Sequence, residues 1–178
     1  MFSVECSRLR FLVVDDNSHM RRIIRALLHG FGVREAYEAE DGAAGLEAFS
    51  SFSPDIVITD WAMPIFDGIE LTRMIRQPDT STNPYVPIIM VTGHAERRKI
   101  TEARDAGVTE FLVKPISAKG LYQRIASVVM VPRPFIKTST YFGPCRRRTP
   151  NSNFGGVERR GKGNAEKIDP VRLDFGAR

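Results

Sequence analysis

Four short apolar runs in this chain each end in a residue able to bind or transfer charge. Leu12-Val13-Val14 ends at Asp15-Asp16, and Ile56-Val57-Ile58-Thr59 ends at Asp60. Ile88-Ile89-Met90-Val91 ends at the hydroxyl of Thr92, and Phe111-Leu112-Val113 ends at Lys114. In a parallel sheet every strand C-terminus lies on the same edge, and that edge is where α/β proteins bind ligands. Four positions distant in sequence therefore converge on one acidic pocket with one cation and one hydroxyl. That composition suits a divalent metal and a phosphoryl group.

The stretches between the runs carry helical periodicity. Met20, Ile23, Ile24, Leu27, Leu28 and Phe31 form one apolar stripe, with Asn17 or Ser18 to cap its start and Gly30 or Gly32 to end it. Residues 33–39 read as a second strand, polar enough through Arg34, Glu35 and Glu38 to be an edge. Asp41-Gly42 opens a helix carrying Ala43, Leu46 and Phe49, and residues 55–60 form the third strand. A loop with Met63-Pro64 and Asp67-Gly68 leads to a helix with Leu71, Met74 and Ile75 on one side, stopped by Pro78. The fourth strand spans Ile88–Thr92 and is followed by a polar helix, Arg97–Ala106, that Gly107 ends. The fifth strand is 110–114, and the last helix, 117–130, buries Leu121, Ile125, Val128 and Val129. Strands alternating with helices predict an α/β fold, a doubly wound five-stranded parallel sheet. The order 2-1-3-4-5 sets the first strand beside the third and brings Asp15, Asp16 and Asp60 together at the switch point.

The net charge of +5 is unevenly placed. Residues 132–178 hold 11 Lys and Arg against 4 Asp and Glu, so residues 1–131 are mildly acidic. The division predicted is a domain over 1–131 and a basic, mostly disordered C-terminal tail over 132–178, because the tail's sparse apolar residues cannot offset its ordering entropy. A short piece from Phe135 to Phe142 is apolar enough to dock on the domain. No run is long enough to span a bilayer and no secretory signal is evident, so the reading is cytoplasmic, without membrane insertion. Cys6 and Cys145 have neither disulfide nor metal spacing.

Three carboxylates in one cleft repel one another unless a cation compensates. Mg²⁺ (or Mn²⁺) is the natural cation, since it accepts one or two carboxylates, waters and phosphate oxygens. A single Asp after a strand is no more than a helix cap; two such strand ends beside Lys114 and Thr92 are harder to explain that way. Asp60 is the best nucleophile, forming an aspartyl phosphate. Lys114 can neutralise the phosphoryl group as a point charge, and Thr92 can donate to one of its oxygens. Pro115 after Lys114 points to a fixed loop geometry.

The motifs Phe-Leu-Val-Val-Asp15-Asp16-Asn-Ser, Asp60-Trp-Ala-Met63-Pro64 with Asp67-Gly68, Thr92-Gly93 and Phe111-Leu-Val-Lys114-Pro115 together resemble the receiver domain of bacterial two-component response regulators. The likeness spans about residues 8–130, in the single-domain, flavodoxin/CheY-like style. The resemblance implies that Asp60 is the phospho-acceptor, that Asp15, Asp16, Asp60 and the Ala62 backbone carbonyl hold Mg²⁺, and that Lys114 pairs with the phosphoryl group. It makes Thr92 and Phe111 the switch pair and sets Ala62 and His94 beside the access route, where they would tune dephosphorylation. The implied donor is a histidine kinase or phosphotransfer protein. The implied output is a downstream protein bound at the face of the fourth helix, fifth strand and fifth helix. Such a protein is a switch, not an enzyme in the ordinary sense; it catalyses only its own phosphoryl transfer and slow self-dephosphorylation.

Two other functions compete. A basic tail with Arg146-Arg147-Arg148 and Arg159-Arg160 could grip nucleic-acid phosphates. A metal-dependent phosphohydrolase with an Asp nucleophile would want an acid/base Asp two residues on, where Ala62 and Asn17 stand. Nucleotide-binding folds are disfavoured, since neither a glycine fingerprint nor a P-loop follows the first strand.

Overall fold

The computed structural model describes residues 4–93, 97–146 and 166–168. After a 3-10 turn at Cys6–Arg8, the chain alternates: β1 (Arg10–Val14), α1 (Ser18–Gly30), β2 (Glu35–Ala39), α2 (Gly42–Phe52), β3 (Ile56–Asp60), α3 (Gly68–Ile75), β4 (Ile88–Thr92), α4 (Arg97–Ala106), β5 (Glu110–Val113) and α5 (Ala118–Met130). The sheet is parallel with order β2-β1-β3-β4-β5. The doubly wound order read from the sequence is the one observed.

Alternation along each strand divides the core between the two faces of the sheet. Phe11 and Val13 point to the side covered by α1 and α5, where Ile24, Leu28, Leu121 and Ile125 are fully buried. Leu12 and Val14 point to the other side, against Phe49 of α2 and Leu71 and Ile75 of α3. A smaller cluster of Ile69, Met90, Ala103, Ala106 and Val108 packs α4 onto the same face, with Trp61 and Phe111 at its rim. Every residue of β3 and β4 is buried, as central strands covered on both faces require.

Side chains fix where the helices start. The Asn17 carboxamide accepts from His19 N and Met20 N at 2.9 and 3.3 Å, so Asn17 rather than Ser18 caps α1. Asp41 caps α2 through Ala44 N, and Ser117 caps α5 through Gly120 N. Asp67 and Glu70 form a capping box on α3, which satisfies donors that the first turn leaves open.

Several details depart from the periodic reading. Strand β2 begins at Glu35 and β5 ends at Val113. Gly42, Gly45 and Phe49 are the buried line of α2, while Ala43 is exposed. The missing side chains at 42 and 45 let α2 lie close: a Cβ on Gly45 would come within 3.0 Å of Val14 Cγ1. Met74 of α3 is exposed.

The segment after α5 has structure of its own. β6 (Phe135–Lys137) pairs antiparallel with β7 (Phe142–Pro144) and with β8 (Glu166–Ile168). Phe135 is buried, and it meets Tyr85 edge-on with ring centroids 5.0 Å apart. Phe142 meets the same tyrosine at 5.3 Å. The docking foreseen for Phe135 to Phe142 is thus present. Residues 147–165 and 169–178, on which most of the expectation of a disordered tail rests, lie outside the described residues.

Candidate functional site

The acidic pocket is built from strand ends. β1 delivers Asp15 and Asp16 just past Val14, β3 ends on Asp60, and Lys114 follows β5. One carboxylate oxygen from each of Asp15, Asp16 and Asp60 lies within 4.8 Å of the others. Asp15 and Asp60 are buried, and Asp16 is exposed at the mouth. Lys114 Nζ is 2.6 Å from Asp60 Oδ1 and 3.6 Å from Asp15 Oδ2. The Lys114–Pro115 peptide is cis.

The two buried carboxylates are each held by a backbone N–H. Asn17 N donates to Asp15 Oδ1 at 2.8 Å, and Ala62 N donates to Asp60 Oδ2 at 3.1 Å. Asp15 Oδ2 is buried and accepts no hydrogen bond; its contact with Lys114 is one of charge, too long to be a hydrogen bond. Burial raises the Asp15 carboxyl above its usual range; the nearby charges of Asp60 and Asp16 raise it further, against the Asn17 N–H and Lys114. Burial alone would lower Lys114, but its hydrogen bond and charge contact with Asp60, together with Asp15, outweigh that and raise it. The cluster therefore carries a surplus of negative charge that one lysine does not cancel.

That surplus decides the fit to a metal. A buried carboxylate oxygen without a hydrogen-bond donor, beside two other carboxylates, is a hard oxygen set of the kind Mg²⁺ or Mn²⁺ prefers. The residues present fit such an ion.

The remaining candidates are distributed around this centre. Thr92 is the buried last residue of β4, and its carbonyl accepts from Lys114 N at 2.8 Å. Phe111 is half-buried in the α4 cluster, one strand from Thr92. Ala62 is exposed beside Asp60. His94 lies outside the described residues, as do Arg147, Arg148, Arg159 and Arg160 of the tail. Arg146 is described, and it is paired with Asp105 at 2.9 Å and set over the Tyr141 ring.

Three supports escaped the sequence reading. Gly68 sits against the strand end: a Cβ there would stand 2.1 Å from the Asp60 carbonyl oxygen, and Gly68 N donates to the Trp61 carbonyl. Asp67-Gly68 reads as a turn, but only the folded loop shows which backbone the glycine must approach. Arg21 donates to the Asp15 carbonyl at 2.7 Å and pairs with Glu38 of β2. Asn17 supplies its backbone N–H to Asp15 as well as its side chain to the cap.

The model of the response regulator receiver domain matches residues 11–126. The chemotaxis protein CheY of Pseudomonas aeruginosa is 40% identical over 120 residues, covering 67% of this chain and 95% of that protein. The chemotaxis protein CheY-3 of Vibrio cholerae is 38% identical over 120 residues, covering 67% and 91%. A crystal structure of Vibrio cholerae CheY4 superposes with a TM-score of 0.63 at 28% identity, over 67% of this chain and 98% of that one. With its sheet order, its acidic trio and a family match over most of its length, this chain belongs to the response regulator receiver domains.

Proposed function

We propose that this receiver is a phosphorylation-activated switch that takes a phosphoryl group onto Asp60 from a histidine kinase or phosphotransfer protein. The observation that carries the reading is the 2.6 Å contact of Lys114 Nζ with the Asp60 carboxylate, inside a trio of acidic side chains. A carboxylate oxygen of Asp60 bonds to phosphorus as the bond from phosphorus to the donor atom breaks, and the donor leaves with the electron pair. Such transfer depends on positioning and charge neutralisation. Ala62 N fixes the orientation of the Asp60 carboxylate. Lys114 stands where it can exchange Asp60 for an incoming phosphoryl oxygen. Asp15, Asp16 and Asp60, with the Ala62 carbonyl, would hold Mg²⁺, which supplies charge neutralisation to the phosphoryl oxygens when bound.

Thr92 and Phe111 are the switch pair in this reading. Thr92 ends β4 beside the site, and Phe111 lies on the α4 side of β5. Movement of the Thr92 hydroxyl toward the phosphoryl group would open room for the ring and reshape the face of α4, β5 and α5 for a downstream protein. Ala62 and His94 tune the phosphate's lifetime. The relatives carrying the name chemotaxis protein support a signalling role of this kind.

Incubation with acetyl phosphate and Mg²⁺, read by intact-protein mass spectrometry, tests the proposal. A hydroxylamine-labile phosphoryl addition is expected in the wild type and absent in Asp60→Asn. Equal addition in both would overturn the assignment of Asp60.

A further inference from the structure

The segment 133–146 makes contacts that a solvated tail does not. Arg133 Nη2 reaches Glu110 Oε1 at 2.9 Å. Glu110 opens β5, is 2% exposed, and also takes Arg124 of α5. The hairpin of β6 and β7 then crosses the turn between α4 and β5. A Cβ on Gly143 would stand 3.2 Å from Gly107 Cα, so backbone lies on backbone there. Beyond it, Arg146 pairs with Asp105 in the last turn of α4. One segment thus holds the end of α4, the start of β5 and the exit from α5.

The underside of the hairpin is equally specific. Arg76, at the end of α3, is buried and donates to the carbonyls of Gly107 and Pro84 at 3.0 and 2.7 Å. Burial lowers its pKa to about 9, still above neutrality, so the guanidinium is charged. The Phe135 ring covers it at 5.2 Å, an arrangement that favours a desolvated cation. Phe135 closes over a charge that the domain has already brought indoors.

We propose that residues 133–146 are an intramolecular clamp across the end of α4 and the start of β5 that opposes the phosphoryl switch. The inference rests on the function proposed above. A face that moves its helix and strand on phosphorylation must strain contacts that tie α4, β5 and α5 together. Glu110, which the segment holds through Arg133, directly precedes Phe111 in β5. By reciprocity, a ligand that favours the moved face loosens the segment, and a loosened segment raises affinity for that ligand.

The test uses the full chain with beryllofluoride and Mg²⁺ as phosphoryl mimic, saturation being followed by Trp61 fluorescence. Amide hydrogen exchange in 133–146 is expected to quicken about fivefold or more on saturation, the lower end of ordinary allosteric coupling. Phe135→Ala and Arg133→Gln, checked by circular dichroism, are expected to tighten the mimic's binding by a similar factor. Saturation with exchange unaltered would overturn the inference while leaving the switch at Asp60 intact, as would folded variants of unchanged affinity. No saturation and no acetyl phosphate labelling would overturn the phosphoryl reading itself, and this inference with it.

Discussion

Asp15 shows how a side chain can weaken the fold that carries it. Its carboxylate is buried, one oxygen has no hydrogen-bond donor, and Asp60 and Asp16 crowd it. Asp15→Asn is expected to raise the stability of the metal-free protein by about 1 kcal/mol, since it removes a poorly compensated buried charge. The same change should weaken Mg²⁺ binding. Urea unfolding with and without Mg²⁺ measures both effects; a loss of metal-free stability would contradict this account. Glu38 behaves oppositely. Burial alone would raise its carboxyl, but the guanidinium groups of Arg25 and Arg21 outweigh that and hold it below its ordinary 4.5. A folded value below the unfolded one gives stability that is present near neutrality and lost as the pH falls through that range. The stability advantage of the wild type over Glu38→Gln is therefore expected to shrink on acidification below about 4.5; thermal melts across that range read it. At this scale the sequence was informative where a residue ends a strand. Asp15, Asp60, Thr92 and Lys114 were placed on one edge because apolar runs announce strand ends. The Asn17 N–H and the Arg21 guanidinium were not, because loop path and rotamer decide what they touch.

At the scale of elements, the βα alternation was legible because each helix and strand buries a periodic face. What periodicity could not convey is close approach. α2 packs through Gly42 and Gly45, where there is no side chain to register in an apolar pattern. α3 begins on Gly68 against the Asp60 carbonyl. Gly68→Ala is expected to cost about 1–3 kcal/mol, the usual range for forcing extra volume into packed structure. It should also push Asp67 and the capping box away from the strand end. A chemical-denaturation midpoint matching the wild type would show that the loop yields at no cost. The loop carries a second constraint: Ile65 has φ of 67° and is fully exposed, a conformation that branched side chains resist. Ile65→Asn is expected to stabilise the protein by about 1 kcal/mol, because asparagine tolerates that region and no packing is lost.

Across the whole molecule, the charge asymmetry divided the chain at residue 131, and the structure joins what that division separated. The signal was hard to read in advance because the contacts are long-range and aperiodic: Phe135 with Arg76 and Tyr85, Arg133 with Glu110, Arg146 with Asp105. Arginines counted as tail charge partly serve to neutralise carboxylates of the domain. The buried Glu110 has a consequence for synthesis. While the chain is growing, Arg124 is available to this carboxylate before Arg133, which can join it only after residue 133 has been translated and has cleared the ribosomal exit tunnel. The sheet's last strand is then the one whose electrostatic balance is completed from outside the βα repeat, so nascent chains halted on either side of that length should differ in resistance to protease.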